Sequence, residues 1–312
     1  MTTRRATLRA WLIWLNSSDS AAVKVLIADS GSTKCDWLCM DEHGRVEREF
    51  HTMGFNPFFH TADLVEAKMR ESADALACAE EIQRVYFYGA GSSSPSLCAI
   101  IREGLERVYP SAQVHVGHDL EGAAYSTFEG EPAITCIIGT GSNSCFFDGK
   151  EVSEVVPALA YILGDEASGS WFGKKLISTY LYKKLDPVIA ADFEETFGYT
   201  KDILLHKVYS EPNANVFLAG FMTFLGKHQE RTQVISWLEE GFQAFVDVHV
   251  KCFPQHHDVP VHFVGSVAYH FQTVLRHVCD REGLRVGRII KRPIDGLAEY
   301  HVKFILPHAM QQ

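Results

Sequence analysis

The sequence predicts an α/β fold built from two duplicated domains, and three observations carry that expectation. Apolar, β-branched runs ending on an acid or a Gly-Ser/Thr turn alternate with stretches of helical periodicity. The segment IADSGSTKC (27–35) aligns with IIGTGSNSC (137–145) at a constant offset of 110, matching Gly31 to Gly141, Ser32 to Ser142 and Cys35 to Cys145. The chain has 312 residues, 46% of them hydrophobic and 22% charged, enough for two domains with buried cores.

VKVLIAD (23–29) reads as a strand that ends on an acid and enters a Gly-rich turn at Ser30–Lys34. DWLCMD and the stretch after EHGRV continue it as a three-stranded meander. Residues 61–81 carry helical periodicity, and RVYFYGAG (84–91) is a strand running into a Gly turn. Ser94-Pro95 opens a helix with Leu97, Ile100, Ile101 and Leu105 on one face, and AQVHVGHD (112–119) is a strand ending on an acid. The second copy starts with its own strand, Gly-Ser/Thr turn and strand. Residues 166–251 look mostly helical, and VPVHFVGSVAYHF (259–271) reads as strand, Gly-Ser turn and helix.

The formal net charge of -10 argues against a general nucleic-acid binder, which would show a basic stripe. The eight cysteines form no C-x-x-C pair and no zinc-spaced cluster, which suits buried free thiols and a reducing cytoplasm. Residues 1–22 have a basic start and a short apolar core. That core is too short for a membrane span and lacks a clean cleavage site, so these residues are expected to be a dispensable or mis-assigned leader. No membrane partner is expected.

Gly-Ser/Thr turns between strands suit phosphate. Glycine lets the backbone approach closely, so successive N–H groups converge on one anion while hydroxyls add donors. Neither G-x-x-x-x-G-K-[ST] nor a G-x-G-x-x-G opening a helix is present, which argues against Walker-type and dinucleotide sites. Each turn taken alone is an ordinary hairpin. With a third Gly-Ser turn at Gly265-Ser266, the set exceeds what a bland fold needs.

Asp29-Ser30-Gly31-Ser32-Thr33-Lys34, Gly139-Thr140-Gly141-Ser142-Asn143, Gly164-Asp165-Glu166 and Val264-Gly265-Ser266 follow in that order. The ordered set resembles the phosphate-1, phosphate-2, sugar-site and adenosine motifs of the actin/hexokinase/Hsp70 ATPase superfamily. Within it the likeness is to the N-acetylglucosamine kinase / BadF-BadG-BcrA-BcrD ATPase family, from about Val23 to Tyr300. The resemblance implies two duplicated actin-like (ribonuclease H-like) domains around a nucleotide cleft: an N-terminal domain at 23–125 and a C-terminal domain at 126–290. A C-terminal helix at 291–312 would pack back on the first. It further implies ATP-dependent phosphorylation of an amino sugar, N-acetylglucosamine or a related N-acetylhexosamine, with Mg²⁺.

Carried over by position, Asp29 would serve the metal, and Ser32, Thr33, Lys34, Thr140 and Gly141 would meet the ATP phosphates. Ala219 and Gly220, with Gly265 and Ser266, would lie along the adenosine. Asp119 would be the catalytic base, and Asn56, Ser142, Asn143 and Asp165 would contact the sugar. Plain structural readings stand beside these: Asp119 or Asp165 as a helix N-cap, Asn56-Pro57 as turn chemistry, and His118 as a strand-end histidine.

Where the kinases carry a Gly-rich, Trp-containing stretch, this chain has Val155 to Leu163, with Ala158 and Ala160 adding methyl groups, and Ala replaces Gly at 167. Two other functions on the same fold remain open. One is a BadF-type activator ATPase with an iron–sulfur cluster, disfavoured by the phosphate-2 loop and the lack of a cysteine pair. The other is a non-catalytic sugar- or nucleotide-sensing protein. A homodimer is left open.

Overall fold

The structure, a computed structural model, describes residues 23–309, so the leader expected at 1–22 lies outside the described residues. Two five-stranded mixed sheets organise the chain. The first comprises β1 (Lys24–Ser30), β2 (Lys34–Asp41), β3 (Val46–Met53), β4 (Ile82–Gly89) and β5 (Gln113–His118), in the order β3-β2-β1-β4-β5. The second comprises β6 (Ala133–Ile138), β7 (Ser142–Phe147), β8 (Val152–Ser153), β9 (Val261–Val264) and β10 (Val286–Ile290), in the order β10-β9-β6-β7-β8. In each, an antiparallel meander is followed by two parallel strands that add on the other side of the first strand. The two sheets therefore share one topology, and the duplication expected from the sequence is present.

The repeat is less regular at residue level than the constant offset suggests. Ser30 pairs with Cys35 across the first hairpin, whereas Ile138 pairs with Ser142 across the second. The first turn is one residue longer, so Gly31 and Gly141 do not occupy equivalent places. The copies also differ in their crossovers. A pair of helices (Ala62–Arg70 and Ala73–Ala77) joins β3 to β4, split by the Ser72 N-cap within the expected 61–81 helix. Between β8 and β9 the chain instead inserts the helical region from Ala160 to Val250.

Burial explains the first strand. Val25, Leu26, Ile27 and Ala28 are all fully buried, as a central strand covered on both faces requires. Leu26 and Ala28 enter a core with Trp37, Phe55 and Phe87. Val25 and Ile27 face the other way, onto Ile294, Leu297 and Leu306 from the C-terminal helix. That helix runs from Ile294 through a π-helical turn at His301–Ile305 to Ala309; Ile294, Leu297 and Leu306 cover the first sheet, and Tyr300 also meets Cys145 and Phe147 of the second.

The helix Asp119–Thr127 lies between the two sheets. Gly122 lets it approach β4 so closely that a Cβ there would sit 2.7 Å from the Tyr88 Cβ. Its other side meets β6 and β7 through Thr127–Thr135 hydroxyls 3.1 Å apart and through Leu120 and Ala124 against Cys145 and Phe147. A domain boundary at 125 thus falls inside a continuous helix. All eight cysteines are free thiols, seven of them buried, and no helix among the described residues is long and apolar enough to cross a membrane.

Leu297 is fully buried under β1. Leu297→Ala is expected to destabilise the protein by about 2–5 kcal/mol, the usual cost of a core leucine cavity, read as a lower urea midpoint at unchanged slope.

Candidate active site

Apart from Asn56, the Gly164-Asp165-Glu166 loop after the short helix Ala160–Leu163, and Ala219-Gly220 at a helix end, the loops singled out in the sequence follow the C-terminal ends of strands. Asp29 is the penultimate residue of β1, Asp119 follows β5, Gly139–Gly141 follows β6 and Gly265 follows β9. In open α/β sheets that edge is where ligands bind.

The first turn is held from behind. Gly31 N–H donates to the Lys34 carbonyl at 3.0 Å, and Gly54 N–H donates to the Thr33 carbonyl at 3.1 Å. A Cβ on Gly54 would lie 2.0 Å from the Gly31 oxygen, so only glycine lets β3 back this turn. Ser30 is buried and exchanges hydrogen bonds with the Phe55 backbone. Ser32 and Thr33 show no side-chain hydrogen bond among the described residues, which leaves their hydroxyls open to a ligand. Lys34 instead pairs with Asp36 at 2.7 Å.

Asp29 stands directly opposite Asp36 in the β1–β2 register. Asp36 is compensated by Lys34, by His51 at 2.6 Å and by Arg292 at 3.5 Å. Asp29 has no such partner among the described residues. Burial first, then the Asp36 and Asp119 carboxylates, push its pKa from 3.8 to about 7, against the pull of Arg292. Asp119 is the first residue of its helix, not the last of β5, and the N-cap position belongs to His118. Its carboxylate is therefore not spent on capping. Asp119 Oδ1 is buried and lies 3.2 Å from His118 Nε2, though not in hydrogen-bonding alignment.

The second turn is tied to the helix that follows the Gly-Asp-Glu motif. Gly169 N–H donates to the Gly139 carbonyl at 2.8 Å and Ser170 N–H to the Thr140 carbonyl at 3.2 Å. The Thr140 hydroxyl has no partner among the described residues. Ser142 N–H donates to Asp165 Oδ1 at 3.2 Å, and its hydroxyl donates to the Glu166 carbonyl at 2.7 Å. Asn143 Nδ2 reaches Glu154 Oε2 at 3.4 Å, and Glu154 Oε1 in turn lies 3.8 Å from His118 Nδ1. Ser142 and Asn143 are both buried, and these bonds make them supports of the motif from below. Asp165 does not cap the next helix; Ser168 does, accepting from Trp171 N–H at 3.2 Å. Burial raises the Asp165 pKa, with the Ser142 N–H opposing.

The segments expected to lie along the adenosine converge on the same turn and the helix behind it. Gly265 has φ +120°, and a Cβ there would lie 2.5 Å from the Ile138 oxygen. A Cβ on Gly169 would lie 2.9 Å from that of Ala219, which brings Ala219-Gly220 against the helix start. Ser266 and Gly220 are exposed. Asn56 sits against Gly91 after β4, its Oδ1 accepting from Phe58 N–H at 3.0 Å and its Nδ2 without a partner among the described residues. Turn chemistry and a free amide donor coexist there.

Ala160, Asp165 and Ala167 all adopt φ between 56° and 58°, the left-handed region that favours glycine. The altered segment thus keeps a glycine-like backbone while adding methyl groups, and pays roughly 1 kcal/mol or more at each position. Sequence reasoning gave no role to Glu154, Ser144 or His249, because their partners are remote in the chain. A cavity of about 1060 Å³ lined by Trp171, Lys174, Tyr180, Tyr199, Lys201 and Tyr209 contains none of the predicted site residues.

Two five-stranded sheets of one topology give the chain the architecture of the actin-like ATPase fold. No protein-family profile matches the chain, and no curated protein does. Among solved structures, a candidate N-acetylglucosamine kinase from Porphyromonas gingivalis is 36% identical, with a TM-score of 0.85 over 90% of this chain and 99% of that one. A candidate N-acetylglucosamine kinase from Chromobacterium violaceum shares the fold at 15% identity and a TM-score of 0.68, over 90% and 99% of the two chains. So does a ROK family glucokinase from Streptomyces griseus, solved with glucose and AMPPNP, at 15% identity and a TM-score of 0.53 over 89% and 97%. The chain belongs to the N-acetylglucosamine kinase-like family of sugar kinases and is a phosphotransferase by class.

The raised Asp29 pKa has a consequence for stability. The folded protein holds the Asp29 proton up to about pH 7, whereas the unfolded chain releases it near 3.8. Its contribution is therefore fully present below about pH 4 and lost as pH rises through 7. In metal-free buffer, Asp29→Asn should remove that decline and unfold at a higher temperature than wild type at pH 8, by thermal denaturation at a series of pH values.

Proposed function

We propose that the chain transfers the γ-phosphoryl group of ATP to a hydroxyl of an amino sugar, N-acetylglucosamine or a related N-acetylhexosamine. The observation that carries this reading is that Asp29, near the end of β1, and Asp119, at the start of the helix after β5, feel each other's charge beside the phosphate-type turn. Phosphoryl transfer needs the donor phosphates held by amides and hydroxyls, the acceptor hydroxyl in line, and a carboxylate to take its proton. The free hydroxyls of Ser32, Thr33 and Thr140 suit the phosphates, with Gly141 allowing close approach. Ala219, Gly220, Gly265 and Ser266 form the surface for the adenosine.

Among the described residues no group of three His, Cys, Asp or Glu side chains could hold a metal by itself. Magnesium does not need one, since it is usually bound by one or two carboxylates together with phosphate oxygens and water. The fit is favourable, because a cation beside Asp29 would favour the carboxylate that burial, and then repulsion from Asp36 and Asp119, disfavour. Mg²⁺ bound there would neutralise charge on the β- and γ-phosphates. Asp29 would orient it.

Asp119 would accept the proton of the attacking hydroxyl through the carboxylate left free by its place at the helix start. Asn56, through its free Nδ2, and Asp165 would orient the sugar, while Ser142 and Asn143 hold Asp165 and Glu154 in place. Eight unpaired thiols fit a reducing cytoplasm.

A coupled ADP-release assay over a panel of neutral hexoses, hexosamines and N-acetylhexosamines tests the reading. Turnover dependent on an N-acetylhexosamine supports it, and none with any sugar overturns it. Asp119→Asn should retain ATP binding while kcat falls by at least ~10²-fold, and near-wild-type turnover would remove Asp119 as the base. Asp29→Ala should raise the Mg²⁺ concentration needed for half-maximal activity; an unchanged dependence counts against its metal role.

A further inference from the structure

The cavity of about 1060 Å³ is framed by the helix Gly169–Leu181, the end of the helix Pro187–Phe197 and the helix Lys201–Tyr209. Its charged lining is one-sided: Lys174, Lys175, Lys183 and Lys201 against a single acid, Glu194. That excess of cations stands out on a chain whose net charge is -10. Lys175 is paired with Glu240, and Lys174 donates to the Tyr161 carbonyl. Lys183 and Lys201 form no ion pair among the described residues. Two ammonium groups are therefore left for an anion.

Aromatic rings supply the rest of the lining. Lys175 Nζ lies 5.2 Å from the Trp171 ring centroid, and Lys183 Nζ lies 5.4 Å from that of Tyr180. Tyr180 packs on Phe193 with centroids 4.5 Å apart, and Tyr199 packs on Phe197 at 5.6 Å. Both rings are thus held in place before any ligand arrives. Tyr182 and Tyr209 are 73% and 80% exposed. The hydroxyls of all four tyrosines have no partner among the described residues. Charge for an anion, fixed ring faces and free hydroxyls meet in a space large enough for a small molecule.

The backbone singles out Lys183. The helix Pro187–Phe197 closes on Gly198 at φ +56°, whereas the chain leaving Gly169–Leu181 takes φ +58° at Lys183. Lys183 N–H donates to the Tyr180 carbonyl at 2.9 Å. Glycine enters this conformation freely and lysine does so under strain. Strain retained by a non-glycine residue is a pointer to function.

One helix joins the cavity to the candidate active site. Gly169 and Ser170, at its start, donate to the Gly139 and Thr140 carbonyls, and Lys174, Ile177 and Leu181 further along line the cavity. Lys174 also ties that helix to Tyr161, shortly before Asp165.

We propose that this cavity binds a phosphorylated sugar outside the cleft and, through the helix Gly169–Leu181, acts on the second turn. Lys183 and Lys201 take the phosphate, and the rings and hydroxyls of Tyr180 and Tyr199 take the sugar. The effect on turnover rests on the kinase reading above; the binding does not.

Calorimetry of the full chain with N-acetylglucosamine 6-phosphate tests this, with AMPPNP and N-acetylglucosamine in excess so that the cleft is occupied. Binding should be at least about tenfold tighter than that of inorganic phosphate or of UMP, which lack the hexose. Lys183→Ala combined with Lys201→Ala should weaken it at least about tenfold and leave kcat and both KM values within about twofold when no sugar phosphate is present. Lys183→Gly should also weaken binding while raising the unfolding temperature, because it relieves the backbone and removes the ammonium. At saturating N-acetylglucosamine, the sugar phosphate should change kcat at least about twofold in the wild type and not in the double-lysine variant. No heat of binding, UMP binding as tightly, affinity unchanged in either variant, or an equal kcat change in wild type and variant would each overturn the proposal. So would sedimentation showing a dimer that the double-lysine variant dissolves, since a second copy would then fill the cavity. Absence of turnover with every sugar sinks the kinase reading instead, and the calorimetry still decides the site.

Discussion

Asp29, Asp36 and Asp119 are held close enough that their mutual repulsion, added to burial, keeps one of them protonated near neutrality. Left to itself such a group would spread apart. The β1–β2 register forces Asp29 against Asp36, and the glycine-backed approach of the Asp119 helix to Tyr88 brings up the third carboxylate. Lys34, His51 and Arg292 all lie against Asp36, and His118 lies 3.2 Å from Asp119, whereas no ion pair to Asp29 is formed among the described residues. Burying carboxylates this close together costs folding stability.

The second turn is organised by hydrogen bonds rather than by charge. Its carbonyls receive the first N–H groups of the helix at Gly169, and the serines of β7 fasten what lies beside it: Ser142 to Asp165 and Glu166, Ser144 to His249. The left-handed backbone at Asp165 and Ala167 is sustained by this web.

How much of this could be read from sequence depends on the range of the interaction. The alternation of strands and helices, the Gly-Ser/Thr turns and the repeat were legible because each is written in consecutive residues. The constant offset misled at residue level, because hairpin register depends on turn length and the first turn carries an extra residue. Asp119 was read as a strand end, whereas it opens a helix without capping it. The supports that decide the chemistry were out of reach. Nothing local to Glu166 announces His249, and only the folded chain brings Glu154 between Asn143 and His118.

The helix Asp119–Thr127 is shared property: one flank is packed on the first sheet, the other on the second, and Asp119 is its leading residue. A rod clamped between two plates turns when the plates shear. Any rocking of the sheets is therefore geared to the Asp119 carboxylate, while Asp29, fixed in the middle of its own sheet, moves only with that sheet. The spacing of the two carboxylates then serves as a gauge of how far the domains have swung.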